Sequence, residues 1–362
     1  MSEVGKRKDD LDTPSLWVDL DKMENNIATL AAHFRSAGVD WRPHTKGIKV
    51  PAIAHKAVAA GAIGVTCAKL GEAEIMVAAG IRDILVANQV VGPRKIARLV
   101  NLVRQADVKV AVESAVNIAE IGRMATERGV EVGVLVELNT GMERAGVLPG
   151  APAVEMSRIA HQTPGVRYQG VMAWEGHTSL IEDREEKRRT IEEVVGLLLD
   201  SAEQCRQAGL PAEIVSAGGS NTYHVTPFIK GITEIQAGGA IFNDVTYRSR
   251  HVETVPSIFV RATVTSRPAP HRIILDVGFK SLPNWYRDPE PIGLSGVEQV
   301  KMSAEHGQLF LESPNNSVQV GDAFDFIVGY TDCTLFLYNE IYGVRDGVVE
   351  AVWPIQGRGM LR

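Results

Sequence analysis

Apolar positions along this chain recur with two periods that alternate. Thr13-Pro14-Ser15-Leu16-Trp17-Val18-Asp19-Leu20 places apolar residues at mostly alternating positions and predicts a strand. Asp21 then stands where it can cap a helix from Lys22 to about Arg35. Eight further strands are predicted, at Trp41 to His44, Gly64 to Cys67, Asp83 to Ala87, Val108 to Val112, Val132 to Leu138, Tyr168 to Ala173, Glu213 to Val215 and Glu234 to Gln236. Helical spacing separates most of them, at Ala52 to Ala60, Gly71 to Ala79, Arg94 to Gln105, Ala115 to Arg128, Val154 to His161 and Glu182 to Ala208. The last is charged on one side and carries Leu197, Leu198 and Leu199 within an apolar face. Alternating strands and helices argue for a parallel sheet, and eight units in roughly 200 residues argue for closure into a (β/α)8 barrel. A doubly wound open sheet is the alternative. No Gly-x-Gly-x-x-Gly joins a first strand to a helix, which weakens a dinucleotide fold.

Past about residue 250 the helical period fades. Phe259-Val260-Arg261-Ala262-Thr263-Val264-Thr265 alternates at period two, and Arg272 to Val277, Ala323 to Val328, Leu335 to Val344 and Gly347 to Trp353 are strand-like. The expected organisation is a disordered tail over 1–11, an α/β barrel over 22–250, and an antiparallel β-domain over 251–362. Residues 12–21 join that β-domain, because the ends of domains often lie close together.

Composition narrows the function. The 362 residues are 45% hydrophobic, enough for a large core, and the net charge of −6 offers no basic footprint for nucleic acid. No apolar run reaches the 18 or so residues of a membrane span. The first ten residues are polar, without a signal-peptide core. Cys67, Cys205 and Cys333 are far apart and odd in number, so they suggest neither a disulfide framework nor a metal pair, and a reduced, cytoplasmic setting is expected.

In a barrel of this kind the chemistry gathers at the C-terminal ends of the strands. Those ends deliver His44 and Lys46, Cys67 and Lys69, Asn88 and Gln89, then Asn139, Thr140 and Arg144, then Trp174, Glu175 and His177. Strand seven ends in Ser216-Ala217-Gly218-Gly219-Ser220 and strand eight in Gln236-Ala237-Gly238-Gly239. Two glycine-rich turns in succession match the usual phosphate site of a barrel, since backbone N–H groups there approach an anion closely. The plainer reading is tight βα turns. Lys46 follows Arg42-Pro43-His44, held extended because the residue before a proline avoids the α region. Its amine gains nucleophilicity from burial or from nearby cations, for which Arg42, His44 and Lys49 are candidates. The plainer reading is a surface lysine. His33 and His55 fall in helical stretches and read as structural, and Cys67 reads as a small buried residue.

The motifs together resemble the fold-type III pyridoxal phosphate enzymes, the alanine racemase-like barrels, and within them the D-threonine aldolase and D-serine dehydratase-like family. Asp12-Thr13-Pro14-Ser15-Leu16-Trp17-Val18-Asp19-Leu20-Asp21 is similar to that family's opening motif, and Arg42 to Lys49 to its lysine signature. Asn139-Thr140-Gly141-Met142-Glu143-Arg144-Ala145-Gly146 resembles its arginine segment. Ser216 to Ser220 and Glu234 to Gly238 resemble its phosphate turns, and Ser303-Ala304-Glu305-His306-Gly307 and Val352-Trp353-Pro354 resemble β-domain elements.

The resemblance implies pyridoxal 5'-phosphate carried by Lys46 as a Schiff base. His44, Arg144, Trp174, Ser216, Gly218, Gly219, Ser220, Gln236, Gly238 and Gly239 would then surround the cofactor. It implies a homodimer acting on a small amino-acid substrate, with His177 as general base and Lys46 exchanging the Cα proton. The first activity implied is retro-aldol cleavage of a β-hydroxy-D-amino acid to glycine and an aldehyde. Dehydration of D-serine or D-hydroxyaspartate is a second, and racemisation, with Tyr330 as a second-face partner, a third. A non-catalytic pyridoxal phosphate-binding protein is the reading from another class. Metal-binding members hold a divalent ion (manganese, magnesium or zinc) through a histidine and an acidic residue or cysteine before a threonine. Aligned on Thr334, Asp332 takes the second place and Tyr330 stands where the histidine is expected. Either no metal binds, or Asp332 holds one with help from Tyr330, His177 or water.

Overall fold

The computed structural model describes residues 3–362, and the chain divides into two compact units. The first comprises Leu30–Lys46, Ile53–Gly238 and Gly359–Arg362; the second comprises the N-terminal stretch to Thr29, Gly47–Ala52 and Gly239–Arg358.

The first unit is the parallel barrel. Its eight strands are Asp40–Trp41, Val65–Cys67, Asp83–Gln89, Asp107–Val112, Val132–Leu138, Val166–Ala173, Ile214–Ala217 and Glu234–Ile235, and every pairing among them is parallel. The first strand pairs with the eighth. The sheet then closes: His44 bridges Thr66 in parallel, Thr66 N–H donates to the Pro43 carbonyl at 3.0 Å, and Ile63 N–H donates to Trp41 at 2.9 Å. These bonds remove both edges and rule out the open sheet. Val132–Leu138 is buried at all seven positions, as a strand covered on both faces must be. Helices follow most strands, and Pro93–Leu102 turns Ile96, Leu99 and Val100 inward at helical spacing. The predicted strands hold to within a few residues at their ends.

Polar side chains fill part of the barrel interior, towards the beginnings of the strands. Arg42, 1% exposed, donates to Glu234 at 2.7 Å and to Asp83 at 2.6 Å, and Lys109 donates to Asp83 at 2.7 Å. A buried guanidinium is tolerable only when paired this fully.

The second unit is built on a nine-stranded sheet. Ser15–Asp19 lies in its middle, antiparallel to Ile258–Ala269 and parallel to Glu340–Arg345, so the N-terminal strand completes the β-domain as expected. Trp17 stacks on Phe259 with centroids 4.5 Å apart, and Leu11, Val344 and Val349 pack in the same cluster. Leu11 corrects one expectation. Residues 3–11, predicted disordered, are tied to the hairpin of Glu340–Arg345 and Val348–Pro354 by Gly5 N–H to Val349 at 2.8 Å and Lys8 N–H to Gly347 at 2.8 Å. Met1 and Ser2 lie outside the described residues. Two further corrections are local. Asp19, not Asp21, receives the Lys22 N–H at the helix start, because the helix begins at Leu20. Leu335–Leu337 forms a 3₁₀ turn instead of strand, so the strand there begins only at Glu340. Among the described residues no helix is long and apolar enough to cross a membrane.

Candidate active site

Lys46 lies in a single 3₁₀ turn, Thr45–Gly47, directly after the first barrel strand, and its side chain is exposed. Two side chains fix that turn. Thr45 Oγ1 donates to the Thr66 carbonyl at 3.0 Å, and the Lys46 N–H donates to His44 Nδ1 at 3.3 Å. Arg42, considered as a cation acting on Lys46, is instead spent on Glu234 and Asp83 inside the barrel. The turn after strand eight runs alongside. His44 N–H donates to Gln236 at 3.1 Å, and a Cβ on Gly238 would collide with the His44 backbone.

The turn after strand seven is held from within. Glu175, 1% exposed, accepts the Gly218 N–H at 3.2 Å, the Thr222 hydroxyl at 2.8 Å and the Thr226 hydroxyl at 2.6 Å. Gly219 N–H donates to Thr222 Oγ1 at 3.1 Å, and a Cβ on Gly219 would strike the Trp174 ring. Ser220 is buried beside them. Ser216 and Gln236 bond elsewhere, since Ser216 Oγ donates to Glu234 at 2.7 Å and accepts from Gln236 Nε2 at 2.9 Å. Their side chains therefore extend the interior network around Arg42.

His177 lies on the 3₁₀ segment Gly176–Leu180, its ring over Gly141, whose φ of +119° and missing side chain make the space. Its Nδ1 is buried without a hydrogen-bond partner. Arg144, exposed, has an ion-pair partner in Glu137 Oε1 at 3.5 Å. Glu137 is buried and accepts from Gln89 Nε2 at 2.6 Å; burial, with the nearby Glu113 carboxylate, raises its pKa above the ordinary glutamate range. Sequence reasoning missed Glu137. The signal was a lone carboxylate one residue before the end of the apolar run Val132-Gly133-Val134-Leu135-Val136-Glu137-Leu138. Cys67 is fully buried, as read.

Tyr330, Asp332 and Tyr247 belong to the other unit. Tyr330 OH donates to Asp332 Oδ2 at 2.9 Å, and burial together with the Asp332 charge keeps that phenol protonated. Asp244 accepts N–H bonds from Thr331 and Tyr247, yet burial still pushes its carboxyl up to about 7. Burial likewise raises the Cys333 thiol to about 11. A Cβ on Gly47 would collide with the Asp332 carboxylate, and one on Gly239 with the Tyr247 ring. Asp332 is thus one anionic oxygen donor flanked by a neutral phenol and a neutral thiol. Among the described residues no three His, Cys, Asp or Glu side chains stand together to hold a metal. This donor set does not fit a tightly held divalent ion. The barrel mouth does fit pyridoxal phosphate: an exposed lysine, two glycine turns packed too closely for side chains, and an unpaired imidazole nitrogen.

The chain is similar to known proteins along nearly its whole length. Residues 18–245 match the family model described as "Alanine racemase, N-terminal domain", and residues 257–344 match a serine dehydratase domain. D-threonine aldolase of Arthrobacter sp. is 34% identical, over 97% of this chain and 94% of that protein. The 3-hydroxy-D-aspartate aldolase of Paracoccus denitrificans is 30% identical, over 98% and 94%. The crystal structure of D-threonine aldolase from Filomicrobium marinum superposes with a TM-score of 0.97 at 33% identity, covering 100% of both chains. D-threo-3-hydroxyaspartate dehydratase from Delftia sp. HT23 superposes at 0.87 with 28% identity, over 96% and 98%.

Proposed function

The chain belongs to the fold-type III pyridoxal phosphate enzymes, in the D-threonine aldolase and D-serine dehydratase-like family, and on that premise we propose that it is a lyase cleaving a β-hydroxy-D-amino acid to glycine and an aldehyde. The observation that supports the site is Gly238 packed on His44, which sets the glycine turn after strand eight beside the loop of Lys46. Pyridoxal phosphate bound there supplies an electron sink for the bond that breaks at Cα.

The chain's own residues do the rest. Lys46 holds the cofactor and takes or returns the Cα proton at Nζ. Ser220, Gly238 and Gly239 receive the phosphate, while Gly218 and Gly219 shape the loop with amides already spent on Glu175 and Thr222. Arg144, steadied by Glu137, presents its guanidinium to the cofactor ring. His177 accepts the β-hydroxyl proton at Nε2, which the retro-aldol direction requires. Since Tyr330 and Asp332 do not make a metal site, no metal is assigned to this reaction. Three buried cysteines outside any disulfide favour a reducing, cytoplasmic setting, and a homodimer is expected from the family; light scattering on the purified protein tests the latter.

The test is product analysis. With pyridoxal phosphate and D-threonine, D-serine and 3-hydroxy-D-aspartate alongside their L-forms, glycine plus an aldehyde from a D-substrate is the expected outcome. The family resemblance to a dehydratase makes keto acid plus ammonia the second reading. The enantiomer alone means a racemase, and no turnover of any substrate leaves a binding protein. Borohydride reduction and peptide mapping locate the cofactor, and a label anywhere but Lys46 overturns the assignment.

A further inference from the structure

We propose that Glu175 is the positioning residue for the cofactor phosphate, holding the loop 218–226 in its anion-receiving shape before any anion arrives. This rests on the reading that the turn after strand seven receives the phosphate. Glu175 touches three points of the loop at once, through Gly218 N–H, the Thr222 hydroxyl and the Thr226 hydroxyl, at 3.2, 2.8 and 2.6 Å. All three groups donate, and the carboxylate only accepts. A carboxylate has lone pairs for several donors at its two oxygens, whereas an amide turns one end into a donor.

Placing a negative charge 1% exposed beneath a turn meant for an anion is unfavourable on both counts, burial and like charge. An apolar side chain in its place would leave the Gly218 N–H and the Thr222 and Thr226 hydroxyls without this acceptor. What the carboxylate adds is geometry. It pulls Gly218 inward at a left-handed φ of +74°, so the chain reverses sharply there. Trp174, the preceding residue, forms the opposite wall, since its ring leaves no room for a side chain on Gly219. Thr222 completes the shape, accepting the Gly219 N–H at Oγ1 while its own N–H donates to the Gly219 carbonyl at 3.1 Å. Amides at the start of the loop are consumed by this scaffold, and the bend presents Ser220 to the ligand.

A phosphate-positioning role and a merely structural one separate by ligand. Pyridoxal phosphate and pyridoxal differ only in the phosphate, so their dissociation constants are measured on the wild-type chain and on Glu175→Gln by absorbance titration. The expected result is a loss of about tenfold or more in pyridoxal phosphate affinity, with pyridoxal affinity within about twofold of wild type. Should Glu175→Gln fail to fold, Thr226→Val removes one donor, leaves the carboxylate, and is expected to shift the same ligand in the same direction. Equal weakening of both ligands, or no change in either, overturns the proposal. A wild-type chain that binds the two ligands equally instead overturns the phosphate-turn reading on which it rests.

Discussion

Gly238 lies on the backbone of His44 so closely that an added Cβ would meet the His44 carbonyl oxygen, amide nitrogen and carbonyl carbon together. Strand eight touches strand one only in a closed barrel. The contact therefore joins barrel closure to the placement of Lys46, two residues further on. Because the obstacle is backbone and cannot rotate away, Gly238→Ala is expected to cost about 1–3 kcal/mol of stability and to weaken pyridoxal phosphate binding. Thermal melts with and without cofactor check it. Gly196→Ala is the control: that glycine sits within the helix Arg184–Gln207 with nothing inside 4 Å of its Cβ position. Alanine there should stabilise by about 0.5–1 kcal/mol.

His177 makes a second prediction. Its ring rests over Gly141 and its Nδ1 has no partner, so little of its bonding is committed to the fold. His177→Gln should keep the cofactor absorbance and the melting temperature close to wild type while lowering the cleavage rate by about 10²–10⁴-fold, the usual range for a lost general base. A variant that cleaves at the wild-type rate removes His177 from the reaction.

These predictions rest on features of unequal legibility. Short apolar runs alternating with helical stretches located all eight barrel strands, and Lys46 followed from its place after the first. Side-chain partners did not follow, because they depend on distant pairings. Arg42 meets Glu234 across 192 residues of chain, and the other oxygen of Glu234 holds Ser216, which in turn accepts from Gln236. Residues 3–11 are polar in composition, yet order comes from one buried leucine and from backbone bonds that composition cannot display. The hairpin of Val297–Met302 and Gly307–Leu311 escaped notice because Val297–Met302 has no fully buried position, so its apolar signal is weak.

The interior network sets the response to acid. Burial alone would raise the Asp83 pKa, but hydrogen bonds and charge from Arg42 and Lys109 outweigh it and lower that carboxyl below its ordinary value. An acid with a lowered pKa in the folded state binds its proton more readily when unfolded. Its contribution is thus complete above the ordinary carboxylate pKa of about 4 and drains away as pH falls through the folded value. Urea denaturation from pH 7 to pH 3 should show falling stability at the acid end, with a shallower fall in Asp83→Asn. Arg42→Met leaves Glu234 buried without its cation and should cost about 3–5 kcal/mol near neutral pH. An acid profile identical in wild type and Asp83→Asn refutes the assignment.

Tyr330 and Asp332 carry the last prediction. The phenol donates to the carboxylate at 2.9 Å and stays protonated, so it satisfies Asp332 as a hydrogen-bond donor, a role that leaves no second ligand for a metal. A neutral imidazole at the same place would offer a nitrogen lone pair two residues from that carboxylate, which is ligand chemistry for zinc or manganese. Dialysis of the wild-type chain against a chelator is therefore expected to leave its activity unchanged. Tyr330→His is expected to gain measurable zinc or manganese binding by calorimetry, where wild type gives none, and Tyr330→Phe to gain none. The comparison with phenylalanine matters, because it separates loss of the phenol's hydrogen bond from arrival of a ligand. Wild-type activity that collapses on chelation and returns with manganese would show that Asp332 recruits a metal despite the tyrosine beside it.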